Sequence, residues 1–153
     1  MSRTPVDLDE IDRHIVAELQ HDGRVSYADL GSRVGLSATA VRPRVQRLVD
    51  SGLVRVVGVT DPQALGYPVM AMLGIEVDGD PERVADELSM LDQVIYIVVT
   101  AGGFDLFVEV IAHDADALLH LVSRRVKAVK GVRRVESFLY FGIHTHRFEW
   151  GTP

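Results

Sequence analysis

The chain has 153 residues, 47% of them apolar, enough to bury one ordinary core or two small ones and too many for a disordered chain. It contains no cysteine, which excludes disulfide frameworks, thiolate zinc sites and cysteine nucleophiles together. Net charge is −6, yet residues 33–58 carry five arginines against one acid, while the chain from Tyr67 onward is net acidic. A basic segment on an acidic protein suggests local contact with phosphates, or else a solvated helix face. Apolar runs such as Val94 to Ala101 are too short to span a bilayer, and the opening MSRTPVDLDE has no apolar core of a signal peptide. The expectation is a cytoplasmic protein with no membrane partner.

Leu8, Ile11, Ile15 and Leu19 recur at helical spacing and predict a first helix from about Asp9 to His21. Asp9, Glu10 and Asp12 fall in its first turn, where the helix dipole favours acids, and Asp22-Gly23 ends it. Ser26-Tyr27-Ala28-Asp29 has capping-box spacing and opens a second helix that Gly35 stops. Ser37 is a good N-cap for a third helix reaching Asp50 or Ser51, and the tight glycine turn between the two makes a helix-turn-helix pattern. Leu53 to Thr60 is β-prone and reads as a wing or an exit strand. Chain breakers at Asp61-Pro62 and Gly66-Tyr67-Pro68 divide the protein into a domain at 1–60, a linker at 61–66 and a domain at 67–153.

The second domain alternates. Strands are expected at Val69 to Val77, Val94 to Thr100, Phe104 to Ala112, and Val132 to about Glu149. Asp80-Pro81 and Asp114 open two helices, whose inner faces carry Val84, Leu88 and Leu91, and Leu118, Val122 and Val126. The order β-α-β-β-α-β predicts a ferredoxin-like domain, so the whole chain is α+β. Two helices cover one face of the sheet. The other face has Met70, Met72, Val108, Val110, Phe138 and Tyr140 to offer, and an uncovered apolar face argues for self-association.

The stretch LDEIDRHIVAELQHDGRVSYADLGSRVGLSATAVRPRVQRLVDSGLV resembles the DNA-binding half of the Lrp/AsnC, or feast/famine, regulators. VVTAGGFDLFVEV resembles their strand-loop-strand motif, and GVRRVESFLYF their last strand. The resemblance covers nearly the whole chain. It implies a sequence-specific transcriptional regulator with a winged helix-turn-helix domain. It also implies homodimers built through the ferredoxin-like domain, often assembling into octamers, and amino-acid effectors bound between subunits. Two residues depart from the family's pattern. Pro43 lies inside the third helix, where it removes a backbone hydrogen bond. Gly103 stands where the family commonly has a polar or charged residue, which implies a roomier pocket suited to an apolar or aromatic amino acid.

Val41, Val45 and Leu48 phase the third helix inward, so Thr39, Arg42, Pro43, Gln46, Arg47 and Asp50 point outward. The N-terminal part of such a helix meets base edges, which assigns Ala38, Thr39 and Arg42 to base readout. Arg47 and Arg55 are assigned to phosphates, and Ser26 and Ser37 mark helix N-termini whose N–H groups also bind phosphate. Arg44 flanks the apolar stripe and is expected to pair with Asp12 or Glu10. The effector site is expected at Thr100, Gly102, Gly103, Phe104 and Asp105, with Ser137 at a hydroxyl position of the family. The glycines leave N–H groups open to a carboxylate, and Asp105 can accept from an amine. Each of these residues also has a plain reading: a tight hairpin, a turn brace at Asp105, a packed ring at Phe104, a strand hydroxyl at Ser137.

His144 and His146 share a strand face, but nothing completes a metal set. No cofactor and no catalytic residue is expected, since no nucleotide loop or triad is visible. Two other functions stay open: an enzyme resembling the sirohaem decarboxylases, which share both domains, and an architectural DNA-binding protein without effector. The outward arginines of the third helix favour a regulator with double-stranded DNA as its partner.

Overall fold

The computed structural model describes residues 6–145. They divide into two units, one reaching Val59 and one spanning Thr60–His144. In the first, α1 (Glu10–His21), α2 (Tyr27–Val34) and α3 (Ala38–Asp50) pack around Ile15, Leu30, Val41 and Leu48, none of which is exposed. Asp9, Ser26 and Ser37 cap the three helices through their side-chain oxygens. Gly35 ends α2 at φ +73°, a left-handed conformation that only glycine adopts without strain. α3 runs unbroken through Pro43, which lies on its exposed side.

The second unit is a four-stranded antiparallel sheet in the order β2-β3-β1-β4, made of β1 (Val69–Val77), β2 (Val94–Val99), β3 (Leu106–Ala112) and β4 (Val132–Leu139). α4 (Pro81–Ser89) and α5 (Ala115–His120) complete the β-α-β-β-α-β order, and α5 passes directly into a wider π-helical turn at Leu121–Val126. Ala71, Leu73 and Ile75 of β1 and Leu106, Val108 and Val110 of β3 form the core with Val84, Leu88, Leu118, Leu121 and Val126.

Four sequence expectations are corrected. Residues 54–60 join no ladder among the described residues; Val56, Val57 and Val59 are exposed, with no strand edge beside them to supply partners. β3 begins at Leu106, not Phe104, because Phe104 leaves the ladder to lay its ring over Gly74. β4 ends at Leu139, although the Tyr140 N–H still donates to the Met70 carbonyl at 3.0 Å; Glu149 lies outside the described residues. Val108 and Val110 face the helices, not the open side. Alternation carried the signal: Glu109 lies between Val108 and Val110 and shares the face of Phe107, which puts the two valines on the buried side. The open face holds Met70, Met72, Phe107, Phe138 and Tyr140, which the pairing register sets on one side.

Candidate nucleic-acid interface and effector loop

The base-reading candidates line the start of α3. Thr39 and Arg42 are exposed and Ala38 is half-buried, as the phase of Val41, Val45 and Leu48 requires. Arg42 and Arg55 form no ion pair with any described residue. The hydroxyls of Ser26 and Ser37 are committed to their own helices: each accepts from a backbone N–H three residues on, at 3.1 and 3.2 Å. What these helix ends have left for an anion is backbone N–H and dipole, not side-chain oxygen.

The remaining arginines of the basic segment are held by acids of α1. Arg44 donates to Asp9 at 2.7 Å and to Asp12 at 2.9 Å, the Asp12 contact matching the expectation. Arg47, assigned to phosphates on the sequence pattern, instead reaches the other Asp12 oxygen and the Asp7 carbonyl. Arg33 pairs with Glu18 at 2.6 Å. Asp12 is 1% exposed, and its carboxylate needs both guanidiniums as compensation for leaving water. It also closes a reciprocal capping box with Asp9. The backbone N–H of Asp12, and next the guanidinium of Arg44, hold the Asp9 carboxyl below its usual range. The same pairing pushes Arg44 up, Asp9 first and Asp12 second.

At one end of the sheet, Thr100 to Asp105 form a closed hairpin. The Thr100 N–H donates to the Asp105 carbonyl at 2.9 Å, and its hydroxyl to the Phe104 carbonyl at 2.6 Å. The Asp105 carboxylate accepts from the Val77 N–H at 2.7 Å, so it braces the loop against β1. Gly102 and Gly103 are exposed, have no positive φ, and face open space. Their backbone would suit other residues; what they supply is bare surface. The Phe104 ring lies over Gly74 and meets Phe107 and Phe138 edge-on at centroid distances of 5.5 and 6.1 Å. Ser137 pairs with Leu73 and therefore faces the helices, on the opposite side from Phe104 and Phe138. One chain thus does not bring Ser137 and Phe104 together.

Residues 8–49 match the AsnC-type helix-turn-helix domain, and residues 70–148 the Lrp/AsnC ligand binding domain. The chain belongs to the Lrp/AsnC family. An uncharacterized HTH-type transcriptional regulator of Pyrococcus abyssi is 31% identical over 148 residues, covering 95% of this chain and 91% of its own. The leucine response regulatory protein LrpA of Mycobacterium tuberculosis superposes with a TM-score of 0.86 at 30% identity, covering 95% of this chain and all of that one. A transcriptional regulator of Neisseria meningitidis, solved as a complex with L-Met, shares the fold at 21% identity and a TM-score of 0.81, covering 93% of this chain and 95% of its own. The chain is therefore a transcriptional regulator of the Lrp/AsnC family, with a helix-turn-helix and a ligand-binding domain.

One structural residue of this Lrp/AsnC chain escaped the sequence reading. Gly31 sits inside α2, where a Cβ would lie 2.6 Å from the Leu36 carbonyl oxygen. A glycine in a helix interior was its only signal. Asp12 was expected as a partner of Arg44, but its burial and its tie to Arg47 were not. His146 lies outside the described residues, and no group of three metal-ligating side chains occurs among those described.

Proposed function

We propose that this regulator binds specific DNA sites through α3 and that a small effector, an amino acid with an apolar or aromatic side chain, alters its DNA binding or its assembly. The observation that carries the DNA reading is Arg42, an outward arginine on the N-terminal half of α3 that forms no ion pair with any described residue. Arginine in that position offers a fork of donors to a guanine edge. Arg55 and the N-termini of α2 and α3 add phosphate contacts. The open sheet face, lined by Met70, Met72, Phe107 and Phe138, supports a homodimer, and octamers would follow by pairing of dimers. Two copies of α3 then meet successive major-groove faces. The bare surface at Gly102-Gly103 supports effector contact there, with Ser137 contributed from another subunit. No catalytic role is proposed, and the site of action is where the DNA is, in the cytoplasm.

The test is a gel shift on genomic fragments selected by the protein itself. Arg42→Ala should weaken the selected site by about 1–3 kcal/mol and relax its sequence preference. Adding amino acids singly should change the shift for one chemical class, and Gly102→Trp should abolish that response. Unchanged affinity of Arg42→Ala refutes the docking of α3. Indifference to every amino acid refutes the effector.

A further inference from the structure

The effector loop occupies one end of the sheet. At the other end, where β3 leaves the sheet, lies a bowl of about 250 Å³. Ala112, Ala117 and Leu121 give it an apolar floor, and Tyr67, His113, His120, Asp92 and Arg125 stand around it. That volume is slightly below the usual range for small-molecule pockets and suits a metabolite of a few heavy atoms better than a nucleotide.

The wall is built. The Tyr67 and His113 rings stack at a centroid distance of 4.3 Å, with 26° between their planes. His113 Nδ1 lies 2.8 Å from the Gly66 carbonyl, which can only accept, so that nitrogen carries the proton and the ring is fixed. Gln93 is tied in as well, its carbonyl accepting from the Ile111 N–H at 3.0 Å.

The position of Arg125 has a geometric cause. At 3.6 residues per turn, positions four apart drift by about 40°, so a regular helix would carry Arg125 about 80° round the axis from Ala117. Instead the chain widens into the π-helical turn at Leu121–Val126, where the Lys127 N–H donates to the Val122 carbonyl five residues back at 3.1 Å. Four residues now fall short of a full turn, the drift reverses, and Arg125 returns to the side of Ala117 and Leu121. Such turns are rare and cluster at functional sites.

Asp92 and Arg125 line the same bowl, yet they do not pair with each other or with any other described residue. Two opposite charges, both exposed and lining one small apolar floor without an ion pair between them, complement a molecule that carries both charges. We propose that this bowl is a second ligand site, which takes a free α-amino acid with its carboxylate on the Arg125 guanidinium and its ammonium on the Asp92 carboxylate. The side chain lies on Ala112, Ala117 and Leu121 beside the Tyr67–His113 stack. The site is independent of the loop at Thr100 to Asp105 and of the DNA reading.

The experiment is calorimetric titration of the full chain with L-leucine, L-methionine and L-phenylalanine, in wild type and in a Gly102→Trp background that blocks the loop. At least one probe should still bind the Gly102→Trp protein. Adding Arg125→Gln or Asp92→Asn to it should weaken that binding about ten- to a hundredfold, the worth of one charge-assisted contact. The amide of the N-acetylated probe, which lacks both charges, should not bind. Thermal melts and gel shifts of the two variants, both at exposed positions, should match those of the parent protein. If Gly102→Trp removes all amino-acid binding, or Arg125→Gln and Asp92→Asn leave it unchanged, the bowl is not the site. Binding insensitive to Gly102→Trp but lost in Arg125→Gln sinks the loop reading and keeps this one.

Discussion

Gly31→Ala sets two effects of opposite sign against each other. Helix propensity alone favours alanine over glycine by about 1 kcal/mol in a helix interior. Packing opposes it. The new methyl would stand 2.6 Å from the Leu36 carbonyl oxygen, 3.2 Å from the Ser37 carbonyl carbon and 3.3 Å from the Ala38 nitrogen, where ordinary contact begins near 3.4 Å. All three atoms are backbone, in the turn that joins α2 to α3, so no side chain can swing aside. That turn is also fastened by the Leu36 N–H donating to the Gly31 carbonyl at 2.8 Å, and pushing the strands of the turn apart lengthens that bond. Overpacking of this kind costs about 1–3 kcal/mol, occasionally more, and the rigid partners put this site at the upper end. The net expectation is a loss of about 1–2 kcal/mol after the propensity gain is subtracted. Because the displaced segment carries the N-cap Ser37 and the first residues of α3, DNA affinity should fall as well. Urea denaturation of wild type and variant in parallel, followed by a gel shift, reads both. A variant that is more stable than wild type would mean that propensity wins and that α2 and α3 are not in this contact.

The open sheet face gives a second case: a Cβ at Gly74 would lie 2.9 Å from three Phe104 ring atoms, so Gly74→Ala should displace the ring and cost about 1–3 kcal/mol, and an unchanged melting temperature would contradict the packing. Burial, and then the hydrogen bond to Glu109 and its negative charge, push the Tyr140 phenol up from 10.0 to about 12. A raised value means the fold favours the neutral phenol, so this stabilisation is complete below pH 10 and is lost as pH rises towards 12. A spectrophotometric titration should show a late phenolate component that Tyr140→Phe removes; its persistence in the variant would reassign it. Asp12→Asn should lower stability by about 1–3 kcal/mol, since a buried carboxylate that holds two guanidiniums is replaced by a neutral amide. It should also steepen the salt dependence of DNA binding by releasing Arg47, and an unchanged slope would show that Arg47 plays no part at the phosphates.

Much of this architecture could be read from spacing. Ser26, Gly35 and Ser37 announce their helices because capping chemistry is local, and Asp80-Pro81 and Asp114 do the same in the second unit. What was not legible depends on partners distant in sequence. Asp12 was expected to meet Arg44, 32 residues on, but its burial and its tie to Arg47, 35 residues on, show only when α3 is laid beside it. The side of Val108 was legible, since Glu109 between it and Val110 marks the opposite face as the open one. The shift of the buried position from Val122 to Leu121 follows from a turn that no period in the sequence encodes.

The clasp on α1 changes how the basic segment should be understood. Its net positive charge suggested contact with phosphates, to which Arg47 and Arg55 were assigned, but three of the five arginines face acids: Arg33 has Glu18, and Arg44 and Arg47 share Asp12. An arginine that must leave a carboxylate to meet a phosphate contributes less than a free one, because its counter-charge is already in place. On the proposed reading, Arg42 and Arg55 carry the weight of the interface, with the N–H groups that Ser26 and Ser37 leave free at the starts of α2 and α3 beside them. Arg44 and Arg47 tie α3 to α1 through Asp12, which on that reading sets the angle at which Thr39 and Arg42 reach a base edge. The same reading accounts for selective DNA binding by a protein with an overall charge of −6: the attraction would be confined to a few donors, and the acidic remainder would repel every other approach.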